Sequence, residues 1–122
     1  MKTLKLLLTV MIAVAISQTT FAQTNAQNTV KTATSKTESF KVSGNCELCQ
    51  TRIENAVKEE GASAASWNTE TKMLTVTYDP SKTSKDKLSK KLASVGHDTE
   101  KYRAPDDVYN SLPSCCQYER AK

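Results

Sequence analysis

The stretch Val42–Val57, "VSGNCELCQTRIENAV", joins a strand pattern to a helix pattern through a loop that carries two cysteines. Phe40 and Val42 alternate with polar residues, which is typical of a short half-buried strand, and Gly44 ends it. The apolar residues after the loop recur at the spacing of one helix face: they are Ile53, Ala56 and Val57. The stretch therefore predicts a strand, a two-cysteine loop and an amphipathic helix in that order.

Strand and helix patterns continue toward the C-terminus. Ala65 and Trp67 share one face of a second strand, a turn follows at Asn68–Thr71, and "KMLTVTYD" at 72–79 alternates clearly. Ser84 is placed to cap a second helix. The apolar residues of that helix also recur at helical spacing: Leu88, Leu92 and Val95.

A weaker strand pattern, "HDTEKYR" at 97–103, closes the series. The order strand, helix, strand, strand, helix, weak strand predicts an α+β fold, a ferredoxin-like βαββαβ sandwich whose antiparallel sheet carries two helices on one face. We assign this domain to residues 38–103 and a C-terminal Cys-Cys tail to residues 104–122. We expect the tail to dock on the domain through its apolar residues: Val108, Tyr109, Leu112 and Tyr118.

Residues 1–22 have the layout of a secretory signal peptide. Two lysines precede an apolar run, Leu6–Ile16, which is shorter than the about 20 residues that a bilayer-spanning helix needs. Small residues before Gln23 predict cleavage near Ala22. Residues 23–37 are polar and predict a flexible leader. These features predict a periplasmic or secreted protein with no membrane span after cleavage.

Composition narrows the class of function. Loss of Lys2 and Lys5 with the signal peptide lowers the count of basic residues from 17 to 15 against 13 acidic ones, a net charge of +2. That charge is too small to favour a nucleic-acid partner. The chain has one histidine and no grouping suited to acid–base or nucleophilic catalysis, so it is predicted to be a monomeric binding protein and not an enzyme.

Cys46 and Cys49 form a C-x-x-C motif at the start of the predicted helix. A helix N-terminus favours the thiolate, so the pKa of both thiols is expected to be lowered. Thiolates bind soft ions, and a two-sulfur site suits Cu(I) or Hg(II), whereas a structural Zn(II) site needs four ligands. Thiolates also attack disulfides. A thiol–disulfide redox protein therefore stays open, as does a structural zinc or disulfide module using all four cysteines: Cys46, Cys49, Cys115 and Cys116.

With these motifs in this order, residues Ser39–Tyr102 resemble the heavy-metal-associated (HMA) domain family. A looser likeness is to exported bacterial members with a shortened loop and a C-terminal Cys-Cys pair. The resemblance implies that Cys46 and Cys49 bind a metal ion and pass it to a partner by ligand exchange. It makes Cu(I) the leading ion, with Zn(II) or Hg(II) as alternatives. A metal-efflux ATPase or efflux system is the implied donor or acceptor.

The loop departs from the family pattern Gly-Met-x-Cys-x-x-Cys. Gly44-Asn45-Cys46 is one residue shorter and lacks the methionine that usually packs beneath the loop. The family often has an aromatic residue or a lysine near the metal in the loop after the second helix, where this chain has His97. We therefore take three residues as candidate additional ligands: His97, Cys115 and Cys116. The sequence as a whole predicts a metallochaperone or metal scavenger.

Overall fold

The computed structural model describes residues 34–122. The predicted signal peptide and most of the predicted leader lie outside the described residues. The elements in chain order are β1 (Lys36–Lys41), α1 (Glu47–Glu59), β2 (Ala62–Trp67), β3 (Met73–Tyr78), α2 (Lys85–Ser94), α3 (Asp106–Asn110) and a short 3-10 turn (Ser114–Cys116). Among these described residues, no helix is both long enough and apolar enough to cross a membrane.

The three strands form one antiparallel sheet in the order β1-β3-β2. Leu74 lies at its centre, in register with Phe40 on β1 and Trp67 on β2. Alternation along β3 turns its apolar side chains inward and its threonines outward. On the outer face, hydroxyl groups pair across strands, as Ser39 does with Thr75 at 2.8 Å. One face of the sheet is therefore polar and the other is free to pack on helices.

Both helices cover the apolar face of the sheet. Helix α1 packs against β2 and against α2, and its buried residues recur at the predicted helical spacing. The shared core contains Phe40, Val42, Ile53, Val57, Trp67, Leu74, Val76, Leu88 and Leu92. The predicted α+β, ferredoxin-like class is confirmed.

The predicted last strand at 97–103 is reduced to a single antiparallel bridge between Val42 and Thr99. Beyond the bridge, the Thr99 N–H donates to the Tyr102 carbonyl at 2.8 Å and closes a turn. The Ala104 N–H donates to the Asp98 carboxylate at 2.7 Å. Because these backbone donors are satisfied locally, they do not extend a ladder along β1.

Strand β1 begins at Lys36, inside the segment predicted as a leader. Lys36 pairs with Tyr78 of β3, and Thr37 forms a hydroxyl contact with Thr77 at 2.9 Å. The pairing was not predicted because both leading residues are exposed and carry no apolar alternation.

The predicted cap of α2 is confirmed, since the Ser84 hydroxyl accepts from the Lys87 N–H at 3.2 Å.

Candidate metal centre

The C-x-x-C motif lies at the start of α1, as the sequence predicts. Cys46 is the N-cap residue, with extended backbone, and Cys49 lies in the first helical turn. Cys49 is buried in the core, whereas Cys46 is half-buried at its edge. The Cys46 and Cys49 sulfurs are 3.6 Å apart. All four cysteines of the chain are free thiols.

Trp67 supports the loop from below. Its indole N–H donates to the Val42 carbonyl at 3.0 Å, and its ring lies so close to Gly44 that a Cβ there would come within 2.9 Å of it. The same Cβ would lie 3.1 Å from Cys49 Cβ. The shortened loop therefore has a large side chain beneath it without the family's methionine, and Gly44 is needed because only hydrogen fits.

The C-terminal tail brings a third sulfur to this loop. Pro113 precedes the 3-10 turn, which ends with Cys116 fully buried. The Cys116 sulfur lies 3.6 Å from that of Cys46. The sulfurs of Cys46, Cys49 and Cys116 all lie within 4.8 Å of one another. Cys46, Cys49 and Cys116, the first and last of them seventy positions apart in sequence, therefore form one largely buried sulfur cluster, which we call the thiol centre.

Three hydrogen bonds and one apolar contact near the thiol centre hold the tail to the loop regions of the domain. The Asn45 amide donates to the Gln117 carbonyl at 3.2 Å. The buried Tyr118 hydroxyl donates to the Gly96 carbonyl at 2.8 Å and accepts from the Asp98 N–H at 2.8 Å. Leu112 packs on Gly96 so closely that a Cβ there would meet it at 2.9 Å.

Arg120 ties the end of the tail back to the domain. Its guanidinium contacts both carboxylate oxygens of Asp98, at 2.7 and 2.8 Å, and one oxygen of Asp106 at 2.8 Å. It also donates to the Ala104 carbonyl at 2.6 Å and lies over the Tyr109 ring at 4.6 Å from its centroid. The paired hydrogen bonds between Arg120 and Asp98 fix the orientation of the guanidinium as well as its distance. The prediction that the tail docks is confirmed.

Cys115 occupies a different position from its neighbour. It is exposed, and its sulfur lies 3.9 Å from that of Cys116. Cys116 in turn contacts Cys46, whose sulfur is 3.6 Å away. Cys115 is therefore at the mouth of the thiol centre, outside the three-sulfur group.

Hydrogen bonding sets the protonation of the thiols. Burial alone would raise the pKa of Cys46, but donation from the Cys49 backbone N–H and from the neighbouring thiols outweighs it and lowers the pKa to about 7. The predicted lowering is confirmed for this residue. Burial, followed by hydrogen bonding toward Cys49 and Cys46, raises the pKa of Cys116. The centre thus holds one readily formed thiolate, at Cys46, beside buried thiol donors.

His97 does not join the sulfurs. The ring is fully buried, and its Nδ1 lies 2.9 Å from the Ser43 carbonyl. It stacks on Tyr118 with ring centroids 6.0 Å apart, and its Nε2 has no hydrogen-bond partner. Burial lowers the pKa of His97, so the ring is held neutral. His97 therefore braces the strand end before the loop and does not extend the thiol centre.

The spacing of the sulfurs fits a shared ion. Three sulfurs that each lie about 2.3 Å from one ion are about 4 Å apart in a trigonal arrangement, and two are about 4.6 Å apart across a linear one. The observed contacts of 3.6 Å are closer to the trigonal spacing. The arrangement can hold one soft, thiophilic ion with small side-chain adjustment.

The sequence indicates the cysteines but not the residues that hold the loop and the tail in place. The strand pattern assigns Trp67 to one face of a strand without indicating its contact with the loop, and no motif indicates a role for Arg120. The signal for Arg120 was weak: one arginine in a charged tail, whose partner Asp98 lies twenty-two positions earlier. Nothing local in the sequence pairs the two.

Comparison with known proteins places this geometry among heavy-metal-binding domains. The profile of the "Heavy-metal-associated domain" matches residues 39–98. Among solved structures, a CopZ metallochaperone is 27% identical, covers 52% of this chain and 98% of its own, and has a TM-score of 0.50. The water-soluble region of the P-type ATPase CopA from Bacillus subtilis is 31% identical over 53% of this chain and 44% of its own, with a TM-score of 0.50.

A third similar structure is the N-terminal domain of a potential copper-translocating P-type ATPase from Bacillus subtilis in the Cu(I)-loaded state. It is 26% identical, covers 61% of this chain and 95% of its own, and has a TM-score of 0.50. No curated protein matches the chain at a significant level.

An α+β sandwich with a C-x-x-C at the first helix and a buried sulfur cluster defines a class of small heavy-metal-binding proteins. Through residues 39–98, this chain belongs to the heavy-metal-associated domain family. The C-terminal tail that supplies Cys116 lies outside the matched segment.

Proposed function

We propose that the chain is an exported heavy-metal carrier that binds one Cu(I) ion through Cys46 and Cys49, with Cys116 as third ligand. The observation that carries this proposal is the convergence of three sulfurs within 4.8 Å, two of them fully buried. A buried, preformed set of soft ligands has little use other than binding a soft ion or forming a disulfide.

The donor set supports Cu(I) over the other two ions. A structural Zn(II) site is closed by four ligands, whereas the thiol centre holds three and His97 faces elsewhere. Cu(I) is satisfied by two or three thiolates. The similarity to a metallochaperone and to copper ATPase domains favours the same ion. Hg(II) shares the preference for sulfur and is the competing ion in the test below.

Exchange with a partner protein completes the proposed role. Cys46 is half-buried at the edge of the centre, so a partner's thiolate can reach it while the inner sulfurs stay covered. The likeness to the soluble region of CopA makes a metal-efflux ATPase or efflux system the proposed donor or acceptor. We propose that the carrier acts as a monomer in the periplasm or outside the cell, after cleavage near Ala22.

Competition titration tests the proposal. The reduced chain is titrated with Cu(I), Zn(II) and Hg(II) against chelators of known affinity, with Cys46→Ser, Cys49→Ser and Cys116→Ser in parallel. We expect one Cu(I) per chain, a loss of affinity of about a hundredfold or more for the first two variants, and about tenfold for the third, which is about 1.4 kcal/mol.

Cys115→Ser is the matched control, because it makes the same chemical change outside the three-sulfur group. X-ray absorption of the loaded chain should show three sulfurs about the ion, and two in Cys116→Ser. If none of the three ions binds tightly to the reduced wild-type chain, the carrier role is refuted.

N-terminal sequencing of protein from an expressing bacterial host tests export, with Gln23 as the expected first residue.

A thiol–disulfide exchange protein is the second candidate, favoured by two sulfurs at 3.6 Å from the Cys46 sulfur and by the Cys46 pKa of about 7. Such a protein would reduce or oxidise a disulfide substrate at a rate that depends on Cys46. An insulin-reduction assay separates the candidates. Turnover by the wild-type chain, absent in Cys46→Ser, together with weak Cu(I) binding would favour the redox role.

A further inference from the structure

The four thiols form a path from solvent to core. Cys115 is exposed, Cys46 is half-buried, and Cys49 and Cys116 are both 0% exposed. An ion that ends between Cys46, Cys49 and Cys116 must cross this gradient. A donor molecule's sulfur cannot reach the two inner thiols without opening the tail.

Cys115 is placed to contact the ion before the inner sulfurs do. Its exposed sulfur lies 3.9 Å from that of Cys116, which is itself 3.6 Å from that of Cys46, so Cys115 contacts the thiol centre from the solvent side. The 3-10 turn at Ser114–Cys116 fixes this arrangement, because it holds two adjacent cysteines with one side chain outward and the next inward.

Resting on the proposed function, we propose that Cys115 is an exchange thiol, which takes Cu(I) from a thiolate donor and hands it to the thiol centre. Cys115 binds the ion only transiently and is not a ligand in the fully loaded site. The donor class is any thiolate-bound Cu(I), from a low-molecular-weight thiol or from a cysteine of a partner protein.

The transfer balances without a change of oxidation state. The Cys115 thiolate forms a bond to Cu(I), the donor's Cu–S bond breaks, and the donor sulfur takes up the proton that Cys115 released. Bonds to Cys46 and then to Cys49 and Cys116 form as their thiols lose protons to the solvent. The Cu–S bond to Cys115 breaks last, and Cys115 is protonated again. Unloading follows the same steps in reverse.

A separation of rate from affinity tests the proposal. Cys115→Ser is compared with wild type in stopped-flow loading from Cu(I)–glutathione and in removal by excess glutathione. We expect both rates to fall by the same factor, about tenfold or more, with Kd unchanged, because Kd is the ratio of the two rate constants. Ser114→Ala is the matched control, since Ser114 is an exposed neighbour in the same turn.

The other outcomes each have one meaning. Wild-type rates in both directions for Cys115→Ser would overturn the exchange role and leave the proposed carrier intact. A raised Kd with unchanged loading would show that Cys115 is a permanent ligand, which also overturns it. Failure of the wild-type chain to bind Cu(I) would refute the carrier itself. An unchanged melting temperature for Cys115→Ser excludes misfolding as the cause of a slower rate.

Discussion

At the scale of single residues, the thiol centre depends on small differences in environment between chemically identical groups. Cys46 accepts hydrogen bonds from a backbone N–H and from thiols, and its pKa falls to about 7. Cys115 donates toward Cys46, and its own pKa rises. The thiolate is the form that binds metal and attacks disulfides. The hydrogen bonds at the helix start therefore make Cys46 the thiol that ionises most readily.

The pH dependence of alkylation tests this ordering. We expect carboxamidomethylation of Cys46 by iodoacetamide to reach half its maximal rate near pH 7, because its folded-state pKa is about 7. Cys115 in the same sample is the internal control, and its rate should rise only at higher pH. Mass spectrometry of the separate peptides measures both. Equal midpoints for the two residues would contradict the assigned hydrogen-bond pattern.

Gly44→Ala tests the support beneath the loop. The added methyl would meet the Trp67 ring at 2.9 Å and Cys49 Cβ at 3.1 Å. We expect the free energy of unfolding to fall by about 1–3 kcal/mol, as in other overpacked cores, and Cu(I) affinity to fall because Cys49 moves. Chemical denaturation and chelator competition measure the two effects. Stability and affinity equal to wild type would show that the loop has spare room.

His97 makes stability depend on pH. Burial lowers the pKa of His97 in the folded chain below its ordinary value of 6.5. Above pH 6.5 the ring is therefore neutral in both the folded and the unfolded chain, and it does not reduce stability. As the pH falls below that value the unfolded chain binds a proton that the folded chain does not, and stability drops by up to about 1.4 kcal/mol per pH unit until the folded-state pKa is reached.

Urea denaturation of the metal-free chain between about pH 7 and pH 5 measures this loss. The matched variant is His97→Asn, whose amide can take the place of Nδ1 toward Ser43 without titrating. We expect a flatter pH dependence in the variant. Identical slopes in the two proteins would assign the pH dependence to carboxylates.

At the scale of elements, the tail makes the site different from a bare C-x-x-C loop. Helix α1 presents Cys46 and Cys49 by itself, whereas Cys116 arrives only because the tail is anchored on both sides of the 3-10 turn. Before the turn, Leu112 packs on Gly96. After it, Arg120 holds Asp98. The stability of these tail contacts therefore determines how long the Cys116 sulfur stays beside the other two.

Arg120→Gln weakens the attachment of the tail without changing a cysteine. Arg120 and Asp98 are 9% and 15% exposed, and removal of one partner of a largely buried pair costs about 3 kcal/mol or more. We expect lower stability and faster labelling of Cys116 by a thiol reagent, measured by denaturation and mass spectrometry.

Lys101→Gln is the control for this change, because Lys101 pairs with Asp86 at the surface with 68% exposure. Exposed pairs contribute up to about 1 kcal/mol. Wild-type labelling of Cys116 in Arg120→Gln would show that the other tail contacts, the Tyr118 hydrogen bonds and the packing of Leu112, hold the tail without Arg120.

At the scale of the whole molecule, most of the core consists of apolar side chains outside the thiol centre. The sheet and both helices share one set of buried side chains, and the thiol centre lies at one end of it. We therefore expect the chain to keep its fold when metal is removed, unlike small zinc modules.

Metal linkage measures this independence. We expect the chelated, reduced chain to stay folded by circular dichroism, and free Cu(I) at about 100 times its Kd to raise the free energy of unfolding by about 2.7 kcal/mol. Cys46→Ser should show no such gain. Cooperative unfolding on chelation alone would instead support a structural zinc module that uses all four cysteines.

The sequence by itself determined the class of fold, the place of Cys46 and Cys49 and the cap of α2, because these depend on local periodicity and on residues close in the chain. Tertiary structure alone decided that the Cys116 sulfur lies beside those of Cys46 and Cys49, that Cys115 is exposed next to them and that His97 turns to Ser43 instead. It also reduced the last predicted strand to one bridge. The physical reason is distance along the chain: contacts between residues twenty to seventy positions apart follow from packing, which no local pattern records.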